Sequence, residues 1–177
     1  RYAINVPEIL LHHIDFEKLN TERKIIASDM MITGADIKVF LNRELPRPSL
    51  DKVENFPPAL GKNLQINTRI DTLILKEARV SYTEYNPKKA RRGTVYFNGI
   101  DAEFHNVTND SLSLLKNHWC YGDASGLLMG KGRLKLHLNF NLTDPKYAFS
   151  YSGSIGKMDL RVLNPVAKSL AMVEVSS

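Results

Sequence analysis

The chain has 177 residues, a net charge of +5 and 43% hydrophobic content, of which little is aromatic. That is room for one medium-sized domain and excludes a disordered segment. A single cysteine, Cys120, excludes an intrachain disulfide and a multi-cysteine metal site, and no apolar run reaches the ~18 residues of a membrane-spanning helix. The basic balance permits contact with anionic surfaces without identifying one. No signal peptide pattern is visible. The abrupt start at Arg1-Tyr2-Ala3 reads as that of an internal piece, with any targeting or anchoring segment lying outside it.

Residues 2–19 carry Ile4, Val6, Ile9, Leu10, Leu11 and Ile14 at irregular spacing, with Pro7 breaking any helix. They read as extended structure with a short strand or turn. Ile25 to Ala27 and Met30 to Ile32 follow. After Gly34, Ile37, Val39 and Leu41 alternate with Lys38, Phe40 and Asn42. Residues 45–63 read as a long connection, holding at most a short helix from Ser49 to Phe56 that Pro57-Pro58 ends.

Residues 68–87 repeat the scheme of residues 25–44. Met31–Val39 aligns with Ile74–Tyr82, apolar on apolar, at an offset of 43, with Ala35 and Ala78 identical. Each copy reads as strand, small kink, strand, a repeated β unit within one domain spanning 1–177. Asn86 to Gly93 reads as a basic hairpin loop carrying Lys88, Lys89, Arg91 and Arg92. Ile100, Ala102 and Phe104 then alternate with Asp101, Glu103 and His105. Leu112 to Leu115 read as extended or irregular, and Gly122 to Gly126 as loop.

The clearest stretch is Gly132 to Leu142. Leu134, Leu136, Leu138, Phe140 and Leu142 fall on every second residue, with Arg133, Lys135, His137, Asn139 and Asn141 between them. A strand sends successive side chains to opposite faces, so this ribbon has one apolar and one polar face. Thr143 to Lys146 turns the chain, and Tyr147, Phe149 and Tyr151 return as the second arm of a hairpin. Near the end, Asn164 as N-cap and Pro165 as first helical residue predict a short helix with Val166, Ala167 and Leu170 on one face.

No residue pattern carries catalysis. His12 and His13 are adjacent and would point apart in a strand, and no histidine grouping has metal-ligand spacing. His118 and Cys120 lack an orienting third group and an oxyanion hole. Asp101 and Glu103 share a strand face, as a hydrolase pair would, but a solvated face has the same pattern. Gly130-Lys131-Gly132 is not a phosphate loop. Asn106, Asn109 and Asn141 open glycosylation sequons by pattern alone. The basic loop suits phosphate, but a nucleic-acid platform would interleave aromatics with the charge. No catalytic residue, metal, cofactor or nucleic-acid partner is expected.

Three stretches carry a resemblance: Ile70 to Tyr85 continuing through Gly93 to Ile100, the hairpin with its Asp144-Pro145 turn, and Gly153 to Leu160 closing on Leu163-Asn164-Pro165. Together they resemble the AsmA-like proteins of Gram-negative bacteria, within them the Bacteroidetes-type members, a family that includes the TamB type. The resemblance implies a bent, largely antiparallel sheet lined with apolar side chains as a groove, in a periplasmic protein anchored in the inner membrane by a segment outside this chain. It implies a non-enzymatic role in phospholipid transport or outer-membrane maintenance, with envelope proteins as possible partners. The groove face would comprise Ile100, Phe104, Leu134, Leu136, Leu138, Phe140, Tyr147, Phe149 and Tyr151, with Lys88, Lys89, Arg91 and Arg92 toward lipid headgroups. Alternation alone equally describes a β-sandwich that binds carbohydrate or protein. The expected fold is mainly β, with one or two short helices.

Overall fold

A computed structural model describes residues 1–45, 65–87, 90–146 and 148–170, the side chains of 169 and 170 excepted. The elements run β1 (Tyr2–Asn5), β2 (Glu8–His12), α1 (Phe16–Glu22), β3 (Ile25–Thr33), β4 (Asp36–Asn42), β5 (Thr68–Asn86) and β6 (Arg91–Thr108). Then come α2 (Ser111–Lys116), β7 (Trp119–Leu128), β8 (Gly132–Asn141), β9 (Phe149–Ile155), a 3-10 turn (Leu160–Leu163) and α3 (Asn164–Leu170).

All nine described strands join one sheet. Its order is β1-β4-β5-β6-β7-β8-β9, with β3 also on β5 and β2 on β3. The sheet is mixed and does not close into a barrel. β3 and β4 run parallel to β5, one along each half of this 19-residue strand, and the remaining pairings are antiparallel. The mainly β expectation holds.

The two segments that align in sequence at an offset of 43 are the ones that lie side by side. Met31 pairs with Ile74, Thr33 with Lys76, Asp36 with Arg79 and Val39 with Tyr82. The kinks also coincide. Gly34 takes φ +69 between β3 and β4, and Glu77, at the matching place in β5, takes φ +53. Gly99 of β6 adds a third left-handed residue, at φ +54, where the β5–β6 register shifts. Ala35 and Ala78, the identical pair, are both buried at the break. A left-handed residue inside a ladder rotates the chain and displaces the register, as a bulge does.

Several expectations are corrected. Helix α1 begins at Phe16, inside a stretch read as extended, because Asp15 accepts from the Lys18 backbone N–H at 2.9 Å. Leu112 to Leu115 form α2, capped by Asp110, whose Oδ2 accepts from Ser113 N–H and Ser113 Oγ, both at 2.9 Å. With α3 this makes three α-helices among the described residues. Gly122 to Gly126 lie within β7 and are not loop. β6 starts at Arg91, so Arg91 and Arg92 are strand residues. The return arm of the hairpin begins at Phe149. Asn164 opens α3 as a helical residue. The expected Ser49–Phe56 helix, Pro57-Pro58 and the connection from 46 to 63 lie outside the described residues, as do Lys88, Lys89 and Tyr147.

The core is thin. The buried apolar residues among those described are Ala27, Ala35, Ile70, Ala78, Ala102, Cys120, Leu128, Phe140 and Leu142. Four of them are alanines, and only Ile70 is a large side chain under 2% exposed. A sheet packed against a second layer would bury its large inward residues. Here most of them are half-buried.

Candidate functional site

Cross-strand register assigns the faces, because directly paired residues point to the same side. One transverse row runs Met30, Leu73, Phe104, Gly122, Leu138, Tyr151. The next runs Ile32, Leu75, Ala102, Ala124, Leu136, Gly153. On one side of these lie Cys120, Phe140 and Phe149, and on the other Gly126, Leu134 and Ile155. Every side chain in these rows is apolar except for the hydroxyl of Tyr151 and the thiol of Cys120. The opposite face carries Thr72, His105, Tyr121, Asn139 and Ser150, then Ile74, Glu103, Asp123, His137 and Ser152, so it is mainly polar, with Ile74 as an apolar member.

The apolar face covers itself in part. A Cβ on Gly122 would meet the Glu103 carbonyl oxygen, with Phe104 Cδ1 at 2.6 Å, and a Cβ on Gly153 would meet the Lys135 carbonyl oxygen, with Leu136 Cδ2 at 2.7 Å. The Phe104 and Leu136 side chains therefore lie flat over glycines of the adjacent strands. Glycine here serves close approach, which is why a loop reading of 122–126 fails. Phe104, Phe140 and Phe149 form a run of rings with centroids 6.2 Å apart at each step. At this end Leu114 of α2 and Val107 pack against Cys120, Phe140 and Leu142. Toward the other end Val80, Phe97, Ile100, Leu134 and Leu136 line a wholly apolar hollow of about 200 Å³.

The structure thus gathers Ile100, Phe104, Leu134, Leu136, Leu138, Phe140, Phe149 and Tyr151 on one face. Leu134, Leu136 and Leu138 are half-buried, and Tyr151 is 70% exposed. Sequence reasoning missed Leu73, Leu75, Met30, Ile32, Val80 and Phe97. Their alternation is visible in β3 and β5, but their sharing a face with β8 depends on long-range register. Arg91 and Arg92, neighbours in one strand, point to opposite sides of the β5–β6 ribbon. The Arg92 guanidinium lies over the Phe40 ring at 5.6 Å and near Tyr85 at 6.0 Å. The two arginines therefore do not form one patch. Between them and the apolar face Glu84 is 4% exposed, pairing with Arg43 and accepting from Tyr82 Oη at 2.8 Å.

The polar face offers a shallow depression of about 460 Å³ containing Asp101, Glu103, Asp123, Lys135 and His137. Its carboxylates are engaged locally: Asp123 with His137 Nδ1 at 3.0 Å, Glu103 with His105 Nε2 at 3.2 Å. Asp101 Oδ1 accepts from the Glu77 backbone N–H at 3.0 Å, at the kink. Among the described residues no three His, Cys, Asp or Glu side chains are placed to hold a metal ion. Asp101→Ala is expected to cost about 1 kcal/mol in urea unfolding, and Asp101→Asn, which keeps the acceptor, well under half of that. Equal losses would remove the kink-capping role.

Cys120 is buried, and desolvation pushes its thiol up to about 11. His118 is exposed and precedes β7, so the two do not form a nucleophile–base pair. Because the fold favours the neutral thiol, this contribution to stability is complete below the unfolded thiol's pKa and is lost as pH rises through about 11. At pH 8 a disulfide reagent should label native Cys120 about a hundredfold more slowly than the urea-unfolded chain. Comparable rates would mean that the thiol is accessible.

No protein-family model matches this sequence. No curated protein matches it either.

Proposed function

We propose that this chain is part of a non-enzymatic envelope protein of the AsmA-like kind, whose apolar face shields the acyl chains of phospholipid or another membrane lipid. The observation that supports it most is the pair of apolar rows running across six strands, β3 to β9, half-exposed and without a second sheet over them among the described residues. An acyl chain of about sixteen carbons costs on the order of 10 kcal/mol in water, at ~0.8 kcal/mol per methylene. A contiguous apolar patch of this kind marks an interaction surface, since monomeric proteins rarely leave one uncovered. Leu134 to Phe140 rise ~20 Å along β8, against ~15 Å for the hydrocarbon depth of one leaflet. One acyl chain therefore fits along the face. The resemblance adds the setting: the periplasm, an inner-membrane anchor outside this chain, and phospholipid transport or outer-membrane maintenance.

The test is photo-crosslinking in cells, with a photoreactive residue placed in turn at positions 133 to 140. Lipid adducts at 134, 136, 138 and 140 but not at 133, 135, 137 and 139 are the expected result. Protein adducts alone at the even positions would replace the lipid with a protein partner. No adducts at either parity would end the lipid reading.

A further inference from the structure

The chain leaves β9 on the apolar side of the sheet. Gly156 N–H donates to the Arg133 carbonyl at 2.7 Å, extending the β8–β9 ladder by one bond. Beyond it Met158 turns back over β8. A Cβ on Gly132 would touch Met158 Sδ and stand 3.3 Å from Met158 Cγ, with Ile155 Cγ2 at 3.2 Å. Gly132 pairs with Leu128 and shares the face of Gly126 and Leu134. The 3-10 turn follows, capped by Asp159, and α3 packs on β6 and β5. One segment thus reaches from the Gly132 end of the apolar face to the strands that carry Phe97, Ile100 and Val80.

No described side chain of this segment is anchored in the core. No described residue from Phe149 to Lys168 is buried, and Leu160 is 53% exposed. A short helix with few buried contacts and no ladder sits at the low end of local stability. Its own apolar groups, Met158 above all, cover surface at the end of the face that an acyl chain would otherwise cover.

We propose that residues 157–168 form a displaceable strap that closes the Gly132 end of the apolar face and lifts when an acyl chain enters. The inference rests on the lipid reading above. Strap and ligand then compete for the same surface, so the affinity observed is reduced by the fraction of time the strap is down.

The geometry supplies the experiment. Gly132→Cys with Met158→Cys places two thiols within disulfide reach. The native thiol, Cys120, is buried and lies far along β8's partner strand, opposite Phe140. Binding of parinaric acid, a fluorescent polyene fatty acid, is measured for the parent chain and for the double variant, oxidised and reduced. Oxidation is expected to weaken binding at least tenfold, with recovery on reduction. Met158→Ser, which loosens the strap without a crosslink, is expected to tighten binding about threefold to tenfold. Equal affinity of oxidised and reduced forms, with the parent binding normally, overturns the strap and leaves the lipid reading in place. No binding by the parent or by Met158→Ser overturns the lipid reading and the strap with it.

Discussion

Phe140→Ala is expected to lower the unfolding free energy by about 3–4 kcal/mol. Phe140 is buried, belongs to the cluster with Cys120 and Leu142, and contacts the rings of Phe104 and Phe149. Among the described residues no second layer stands over the sheet to relax into the space, so the cavity would open beneath α2, where Leu114 rests on the same cluster. Urea unfolding followed by far-ultraviolet circular dichroism measures the loss. Leu115→Ala on the outer side of α2, where the side chain is 83% exposed, is the control and should fall within about 0.5 kcal/mol of the parent. A Phe140 loss below 1 kcal/mol would mean that this cluster does not anchor the fold.

Gly122→Val is expected to cost about 2–3 kcal/mol, through overpacking instead of cavity formation. The new Cβ would run into the Glu103 carbonyl oxygen and Phe104 Cα of β6. Backbone cannot step aside as a side-chain tip can, so β6 and β7 would have to part. Phe104 would also be lifted from its place over the glycine, which connects this prediction to the first. Gly99→Ala tests a different property. Nothing stands within 4 Å of a Cβ there, so its cost comes from the left-handed φ of +54 alone, about 1 kcal/mol. If Gly122→Val unfolds no more easily than Gly99→Ala, close approach is not what the glycine serves.

The mainly β fold was legible because period-two alternation survives in β8, β9 and the second half of β6. Leu134 to Phe140 could be assigned to one face without any partner strand. The helices α1 and α2 were not legible, since seven and six residues span too few turns to show a period. Their signals were the N-caps Asp15 and Asp110, which look like any other aspartate in a loop. Gly122 and Gly126 misled because a glycine that permits close approach and a glycine that breaks a strand are the same letter. The aligned repeat showed that two segments are alike. That they are neighbours, parallel and in register, is a choice made by contacts distant in sequence. Most of the apolar face was therefore readable one strand at a time, while Leu73, Leu75, Val80 and Phe97 joined it only through the β5–β6 ladder. The course of residues 157–168 over Gly132 left no trace in the pattern.

The left-handed residues Gly34, Glu77 and Gly99 sit side by side across β3/β4, β5 and β6, whereas β7 and β8 pair through ten consecutive partners without a shift. The sheet is thus scored along a crease that starts at one margin and stops partway across, like a card folded only to its middle. Bending along such a crease strains the uncreased strands at the point where it ends, which here is the boundary between β6 and β7. That boundary holds the Asn98–Asp101 register shift and Gly126, whose Cβ would stand 3.2 Å from Ile100 Cγ1. The regularity of this sheet is consequently uneven: kinked at the β3–β6 margin, unbroken from β7 to β8, with the apolar hollow lined by Val80, Phe97 and Leu134 spanning the two parts.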